Sequence, residues 1–146
     1  MKKTLFKLDD FCAHNKIAYV LTGTMALNLL GLPTPKPNDI DILVYDATDE
    51  QVDKLKELQH LAGFTVDTHG YEGTCYSFTV NSCKVNAILA KEKTDSITVK
   101  LINNDCAKWH LINVQTGLEA LKAKKKLCRL KDYQYMQYLI RTILEL

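Results

Sequence analysis

The 146-residue chain has little of what marks several common classes of protein. It has three prolines, all between residues 33 and 37, and no internal repeat or low-complexity segment. No window approaches the roughly 18 consecutive apolar residues that indicate a membrane span. The net charge of +2 is too small to indicate nucleic-acid binding by itself. We therefore expect neither a membrane protein nor a repeat architecture.

Features of secreted and zinc-binding proteins are also scarce. The N-terminus, MKKTLFKLDDF, lacks the sustained apolar stretch and the small-residue cleavage site of a signal peptide. The five cysteines are odd in number and never form a CxxC pair, and the four histidines have no ligand spacing. Reduced thiols in a cytoplasmic protein are the expectation, without structural zinc.

What is present is the composition of an ordinary globular protein, with 47% hydrophobic and 25% charged residues. The length predicts a single domain over residues 1–146. We expect its core at about 17–113 and a C-terminal helical region at about 114–146.

Hydrophobic periodicity predicts alternating helices and strands followed by a run of strands. The segment 91–113 is less regular, with short strands near 97–101 and 109–112. The predicted helices are 4–15, 24–31, 46–63, 116–128 and 132–145, and the predicted strands before residue 91 are 17–22, 39–45, 64–70, 75–81 and 84–90. This order predicts an α/β or α+β fold in which helices cover a mixed, twisted sheet.

One motif stands out within this pattern. In "NDIDILVY", Asp39 and Asp41 lie one residue apart in a strand that is otherwise apolar. Alternate side chains of a strand point to the same face, so the two carboxylates should project together. Upstream, Gly23 and Thr24 form a turn between a strand and a helix. Two neighbouring carboxylates repel each other, and a bound cation relieves that repulsion.

The stretch "LTGTMALNLLGLPTPKPNDIDILV" resembles the signature of the nucleotidyltransferase (polymerase-β-like) superfamily. Gly23-Thr24 corresponds to its Gly-Gly or Gly-Ser element, and Asp39-Ile40-Asp41 to its Asp-x-Asp element. The chain looks most similar to small bacterial and archaeal members, which include toxins of toxin–antitoxin systems. The tail "LEALKAKKKLCRLKDYQYMQYL" is also similar to their C-terminal helices.

The resemblance implies a transferase that moves a nucleotidyl group from a nucleoside triphosphate to a hydroxyl of RNA, a protein or a small molecule. Asp39 and Asp41 would be catalytic and would bind Mg²⁺ or Mn²⁺, which prefer oxygen ligands. Gly23, Thr24 and Lys36 would bind phosphate. Further cations are available on the C-terminal helices, at Lys122, Lys124, Lys125, Lys126, Arg129 and Lys131.

The third carboxylate of the superfamily is missing from its expected strand, where Asn86 occupies the matching position. Asn can offer a neutral oxygen but cannot take a proton at neutral pH. Three explanations stand: Asp67 or Glu92 supplies the charge, the enzyme works with two carboxylates, or the domain has lost catalysis. In the last case it is a non-catalytic module that binds a nucleotide or a partner protein.

Overall fold

A computed structural model describes residues 1–32, 34–62, 66–69, 73–90, 93–127, 136–137 and 140–141. The helices of this part of the chain are α1 (Lys2–His14), α2 (Gly23–Leu29), α3 (Asp49–Ala62) and α4 (Gly117–Leu127). The strands are β1 (Ala18–Thr22), β2 (Asp39–Tyr45), β3 (Val66–His69), β4 (Gly73–Val80), β5 (Cys83–Ala90), β6 (Ser96–Asn103) and β7 (Lys108–Gln115).

The seven strands form one mixed sheet in the order β3-β4-β5-β2-β1-β7-β6. Strands β1 and β2 are antiparallel, whereas β2 pairs in parallel with β5 and β1 in parallel with β7. The remaining neighbours, β3–β4, β4–β5 and β6–β7, are antiparallel. The prediction of a mixed sheet combined with helices is therefore confirmed.

The two faces of β2 have different environments, as strand alternation requires. Ile40, Ile42 and Val44 are fully buried in the main core, to which α1 and α3 also contribute side chains. The opposite face carries Asp39 and Asp41 at the start of the strand. Beyond them, Leu43 and Tyr45 lie on that face in a smaller apolar cluster. The acidic pair thus lies at the polar end of a face that is otherwise buried.

Two helix ends follow well-known capping chemistry. Thr48 and Gln51 form a reciprocal pair at the start of α3, in which each side chain accepts a hydrogen bond from the other's backbone N–H. Gly31, just past α2, has φ +78, and its N–H donates to the carbonyl of Asn28 while that of Leu32 donates to Leu27. These two hydrogen bonds form a Schellman motif, which ends α2 before the proline-containing loop.

The structure differs from the sequence-based expectation mainly after residue 95. The two short strands predicted there are the eight-residue strands β6 and β7, which pair along their whole length. The helix predicted at 132–145 lies largely outside the described residues. No helix among the described residues is long and apolar enough to cross a membrane.

Candidate metal- and phosphate-binding site

Four polar residues lie side by side across four neighbouring strands, and we call them the polar row. They are Ser77 of β4, Asn86 of β5, Asp41 of β2 and Thr22 of β1, each paired in register with the next. Residues paired in this way share one face of a sheet. The parallel register of β2 and β5 thus brings together residues that are 45 positions apart.

The carboxylates of Asp39 and Asp41 point toward the same group, as strand alternation predicts. The side-chain N–H₂ of Asn86 donates to Oδ1 of Asp41 at 2.7 Å and to Oδ2 of Asp39 at 3.3 Å. Asn86 is only 4% exposed, whereas both aspartates are partly exposed. The acidic pair is therefore accessible to solvent on one side and hydrogen-bonded to a buried amide on the other.

The amide of Asn86 is itself held in place. Its Oδ1 accepts a hydrogen bond of 2.7 Å from the hydroxyl of Ser77, which is 9% exposed. The Sγ atom of the buried Cys75 lies 3.7 Å from the same hydroxyl. The support beneath the aspartates is a connected hydrogen-bond network.

The glycine turn lies directly against the acidic pair. Gly23 has φ +73, which side-chain-bearing residues rarely adopt. A Cβ atom at this position would lie 2.6 Å from Oδ2 of Asp41, closer than real Cβ contacts. The absence of a side chain at Gly23 thus leaves the space that the Asp41 carboxylate occupies.

The residue that precedes α2 is Thr22, and not Thr24. The predicted helix started at Thr24, but α2 begins at Gly23 and Thr24 lies in its first turn. The hydroxyl of Thr22 makes no cap and donates instead to Oε1 of Gln115 at 2.5 Å, a fully buried contact. Gln115 in turn donates to Thr94 at 3.1 Å, so β7 and the loop before β6 support the turn.

The basic side chains proposed to bind phosphate are only partly described by the structure, and one further lysine lies beside the acidic pair. Lys36 is exposed in the loop before β2 and makes no ion pair within 4.0 Å among the described residues. Lys122 donates to Glu119 on its own helix, and the other C-terminal candidates have side chains outside the described residues. Lys84, which sequence reasoning missed, is exposed and is the register partner of Asp39. Only the pairing of β2 with β5 reveals it.

The sequence offered two other sources of a third acid, Asp67 and Glu92. Asp67 is on β3, which β4 and β5 separate from β2, and Glu92 lies outside the described residues. Within those residues, no third His, Cys, Asp or Glu joins Asp39 and Asp41 at ligand distance. Asn86 is the residue that faces both.

The donor set suits a hard divalent cation. Two convergent carboxylates, partly exposed and beside a backbone without a side chain, offer the oxygen ligands that Mg²⁺ and Mn²⁺ accept. The neighbouring amide relieves part of their mutual repulsion. The residues present are thus compatible with a bound metal held by Asp39 and Asp41, and Mg²⁺ would still take water and phosphate oxygens as its other ligands.

A second group of ligand-type side chains lies elsewhere, where α1 meets β7. Asp9, Asp10 and His110 place ligand atoms within 4.8 Å of one another. Asp9 already accepts hydrogen bonds from the Tyr19 hydroxyl (2.6 Å) and from Nδ1 of His110 (2.8 Å), while Asp10 accepts one from Lys108 (2.5 Å). Protein donors therefore engage both carboxylates. Burial and the bond to Asp9 raise the pKa of Tyr19.

Comparison with known proteins supports the fold. No protein-family model matches the chain, and no curated protein matches it either. Among solved structures, the chain is similar to a "putative nucleotidyltransferase" (TM1012) from Thermotoga maritima, with a TM-score of 0.53 and 16% sequence identity. The match covers 96% of this chain and 92% of that one. At this identity the likeness shows a nucleotidyltransferase-like fold.

Proposed function

We propose that the protein is a metal-dependent nucleotidyltransferase, which moves a nucleotidyl group from a nucleoside triphosphate to a hydroxyl acceptor. The observation that carries the proposal is the convergence of Asp39 and Asp41 beside Gly23, at the start of the central strand of a nucleotidyltransferase-like fold. Each element is weak alone, since acidic pairs and glycine turns are common. Together they form a partly exposed pair of carboxylates beside a residue that has no side chain.

The roles follow from the chemistry of phosphoryl transfer, which depends on positioning and charge stabilisation. Asp39 and Asp41 hold Mg²⁺ or Mn²⁺, which when bound neutralises triphosphate charge. The backbone N–H groups of Gly23 and Thr24, in the first turn of α2, bind phosphate, and the missing side chain of Gly23 leaves room for the Asp41 carboxylate. Lys36 and Lys84 supply positive charge at the rim. The acceptor is RNA, a protein side chain or a small molecule.

A second candidate is a binding module that has lost catalysis, and Asn86 is the observation that favours it. An amide faces both aspartates where a third acid would take a proton, and an amide cannot do so. Such a module would bind a nucleotide or a partner protein, as a component of a toxin–antitoxin or regulatory pair in the cytoplasm. It keeps the same pair of metal ligands, Asp39 and Asp41.

One experiment separates the two candidates. The full chain is incubated with α-³²P-labelled nucleoside triphosphates and Mg²⁺ or Mn²⁺, and labelling is measured on itself, RNA and lysate proteins. Incorporation that Asp41→Asn abolishes supports the transferase. Metal-dependent nucleotide binding without incorporation supports the module, and the absence of both contradicts the two proposals.

Asp46→Asn is the matched control for Asp41→Asn. It removes the same charge just beyond the other end of β2, where Asp46 forms an exposed ion pair of 4.0 Å with Lys93. We expect it to keep the parent's incorporation. An equal loss of incorporation in both variants would mean that the change in net charge causes the loss, and not the removal of a metal ligand at position 41.

A further inference from the structure

We propose that Asn86 is a positioning residue of the cation site, and that Ser77 fixes its orientation. The amide holds the two carboxylates in the convergent arrangement that a divalent cation needs, without itself being a ligand. This inference rests on the proposed function, because it assigns a role toward the metal held by Asp39 and Asp41. The evidence is the geometry of three hydrogen bonds.

The direction of these bonds is fixed by chemistry. Ionised carboxylates only accept hydrogen bonds, so the part of Asn86 that faces Asp39 and Asp41 must be the N–H₂ group. The oxygen of the amide then faces Ser77, whose hydroxyl donates to it at 2.7 Å. A rotated amide would bring its oxygen against two negative charges and lose both donors. Asn86 therefore has one favourable orientation.

Burial increases the free-energy cost of any other orientation of the Asn86 amide. Asn86 and Ser77 are 4% and 9% exposed, so little water is available to replace a lost partner. A buried polar group without its hydrogen bond costs about 1–3 kcal/mol. The amide is thus a rigid support, whereas the aspartates above it remain partly exposed.

A bridging amide and a bound cation are compatible. A carboxylate has two oxygens and about four acceptor positions, so accepting one N–H does not prevent it from ligating a metal. Groups that hydrogen-bond to ligating carboxylates orient them, and their removal typically lowers metal affinity by about 10- to 100-fold. Asn86 donates to both proposed ligands, so its loss should fall within this range.

The test measures Mn²⁺ binding to the full chain by isothermal titration calorimetry, without nucleotide. We expect Asn86→Ala to weaken Mn²⁺ binding by about 10- to 100-fold. Ser77→Ala should weaken it by less, because the amide still faces the aspartates but its oxygen has lost the hydrogen bond that holds it. Ser77→Thr, which keeps the hydroxyl, should restore most of the affinity. The Ser77 variants also test the proposal if Asn86→Ala does not fold.

The control uses a matched pair on another part of the sheet. The hydroxyl of Thr98 donates to Oδ1 of Asn113 at 2.9 Å, the same chemistry at an exposed position. Thr98→Ala and Asn113→Ala should leave Mn²⁺ affinity unchanged. Melting temperatures of all variants separate loss of stability from loss of binding.

The outcomes distinguish this inference from the proposed function. Unchanged or tighter Mn²⁺ binding in Asn86→Ala and Ser77→Ala overturns the positioning role while leaving the metal site in place. If the parent itself binds no Mn²⁺, the metal site of the proposed function fails, and this inference fails with it. Weaker binding in the Ser77 and Asn86 variants alone, with rescue by Thr at position 77, supports the assignment.

Discussion

Gly23 and Asp41 are so close that a Cβ atom on Gly23 would lie 2.6 Å from the Oδ2 atom of Asp41. They belong to adjacent elements: Gly23 starts α2, and Asp41 pairs in register with the preceding Thr22. The turn and the carboxylate thus depend on each other. Any side chain at position 23 must displace one of the proposed metal ligands.

Gly23→Ala should therefore damage both stability and binding. A left-handed backbone costs a residue with a side chain about 1–2 kcal/mol, and the contact with Asp41 adds to this. We expect a loss of about 2–3 kcal/mol in urea unfolding and at least tenfold weaker Mn²⁺ binding.

Gly31→Ala is a matched control for this change. Gly31 has φ +78, close to that of Gly23, but a Cβ atom there would have no neighbour within 4 Å. It should show only the backbone cost, about 1–2 kcal/mol, with unchanged Mn²⁺ affinity. If both variants behaved alike, the contact with Asp41 would have no consequence for the site.

Asp39→Asn should stabilise the metal-free protein. The change removes the repulsion between Asp39 and Asp41 but keeps the shape of the side chain. We expect the melting temperature in chelator to rise by roughly 3–5 °C, which corresponds to about 1 kcal/mol for a domain of this size. Mg²⁺ with a nucleotide should then add no further stabilisation, because a metal ligand is gone. A variant that Mg²⁺ and nucleotide stabilise as strongly as the parent would exclude Asp39 as a ligand.

Lys84→Ala should separate nucleotide binding from metal binding. Lys84 is the register partner of Asp39, so its positive charge lies at the rim of the acidic pair. Its removal should weaken triphosphate binding by roughly tenfold, as expected for the loss of one charged contact of 1–2 kcal/mol. Mn²⁺ alone should bind equally well or more tightly, because a repelling cation is gone. Lys36→Ala, measured in the same way, shows which of the two lysines binds the phosphates. If Lys84→Ala lost Mn²⁺ affinity and nucleotide affinity to the same extent, this role for Lys84 would be contradicted.

The fold was largely predictable because its strands are strongly patterned. The run from Ile42 to Tyr45 is apolar on both faces, and Asp39 and Asp41 share a face, as strand alternation requires. The β6–β7 pair was underestimated in length because polar residues, Ser96, Asn103 and Lys108, lie at the strand ends, where the hydrophobic pattern gives no signal. Propensity is weak evidence for such edge strands, whose pairing is set by tertiary contacts.

The supports of the site were less accessible to sequence reasoning. Gln115 contacts Thr22 across 93 residues, and in the separate group between α1 and β7 His110 contacts Asp9 across 101. Such contacts depend on strand order, which no local pattern encodes. Asn86 could be singled out only through the superfamily resemblance, and its bonds to the aspartates depend on the parallel register of β2 and β5.

Stability should decrease at alkaline pH because the thiol of Cys12 is buried in the folded state. Burial, and to a lesser extent Asp9, raise the pKa of the Cys12 thiol to about 12. Above about pH 8.5 an unfolded thiol loses its proton while the folded one keeps it. The folded state then binds more protons, so its stability falls as pH rises, by about 1.4 kcal/mol per pH unit.

Urea unfolding between pH 8 and 10 checks this expectation. The parent should lose about 1–2 kcal/mol from Cys12 over this range, with Tyr19 adding to the loss as pH approaches 10. Cys12→Ala should flatten the slope, whatever its effect on stability at pH 8. Cys106→Ala, which changes an exposed thiol, should leave the slope as it is. An equal slope in the parent and in Cys12→Ala would show that this thiol does not cause the loss.

The hydrogen bond between Thr22 and Gln115 should hold the turn at Gly23 in its position beside β7. Thr22→Val keeps the shape of the side chain but removes the donor to Oε1 of Gln115, in a fully buried place. An unsatisfied buried acceptor costs about 1–3 kcal/mol, and we expect that loss in urea unfolding.

A double-mutant cycle isolates this bond from the other effects of the two substitutions. Thr22→Val combined with Gln115→Leu removes both partners, so the double variant should be less destabilised than the sum of the single ones, by about 1 kcal/mol. Because Gly23 follows Thr22 directly, Mn²⁺ affinity should fall in Thr22→Val as well. Additive losses of stability together with unchanged Mn²⁺ binding would mean that β7 does not support the site.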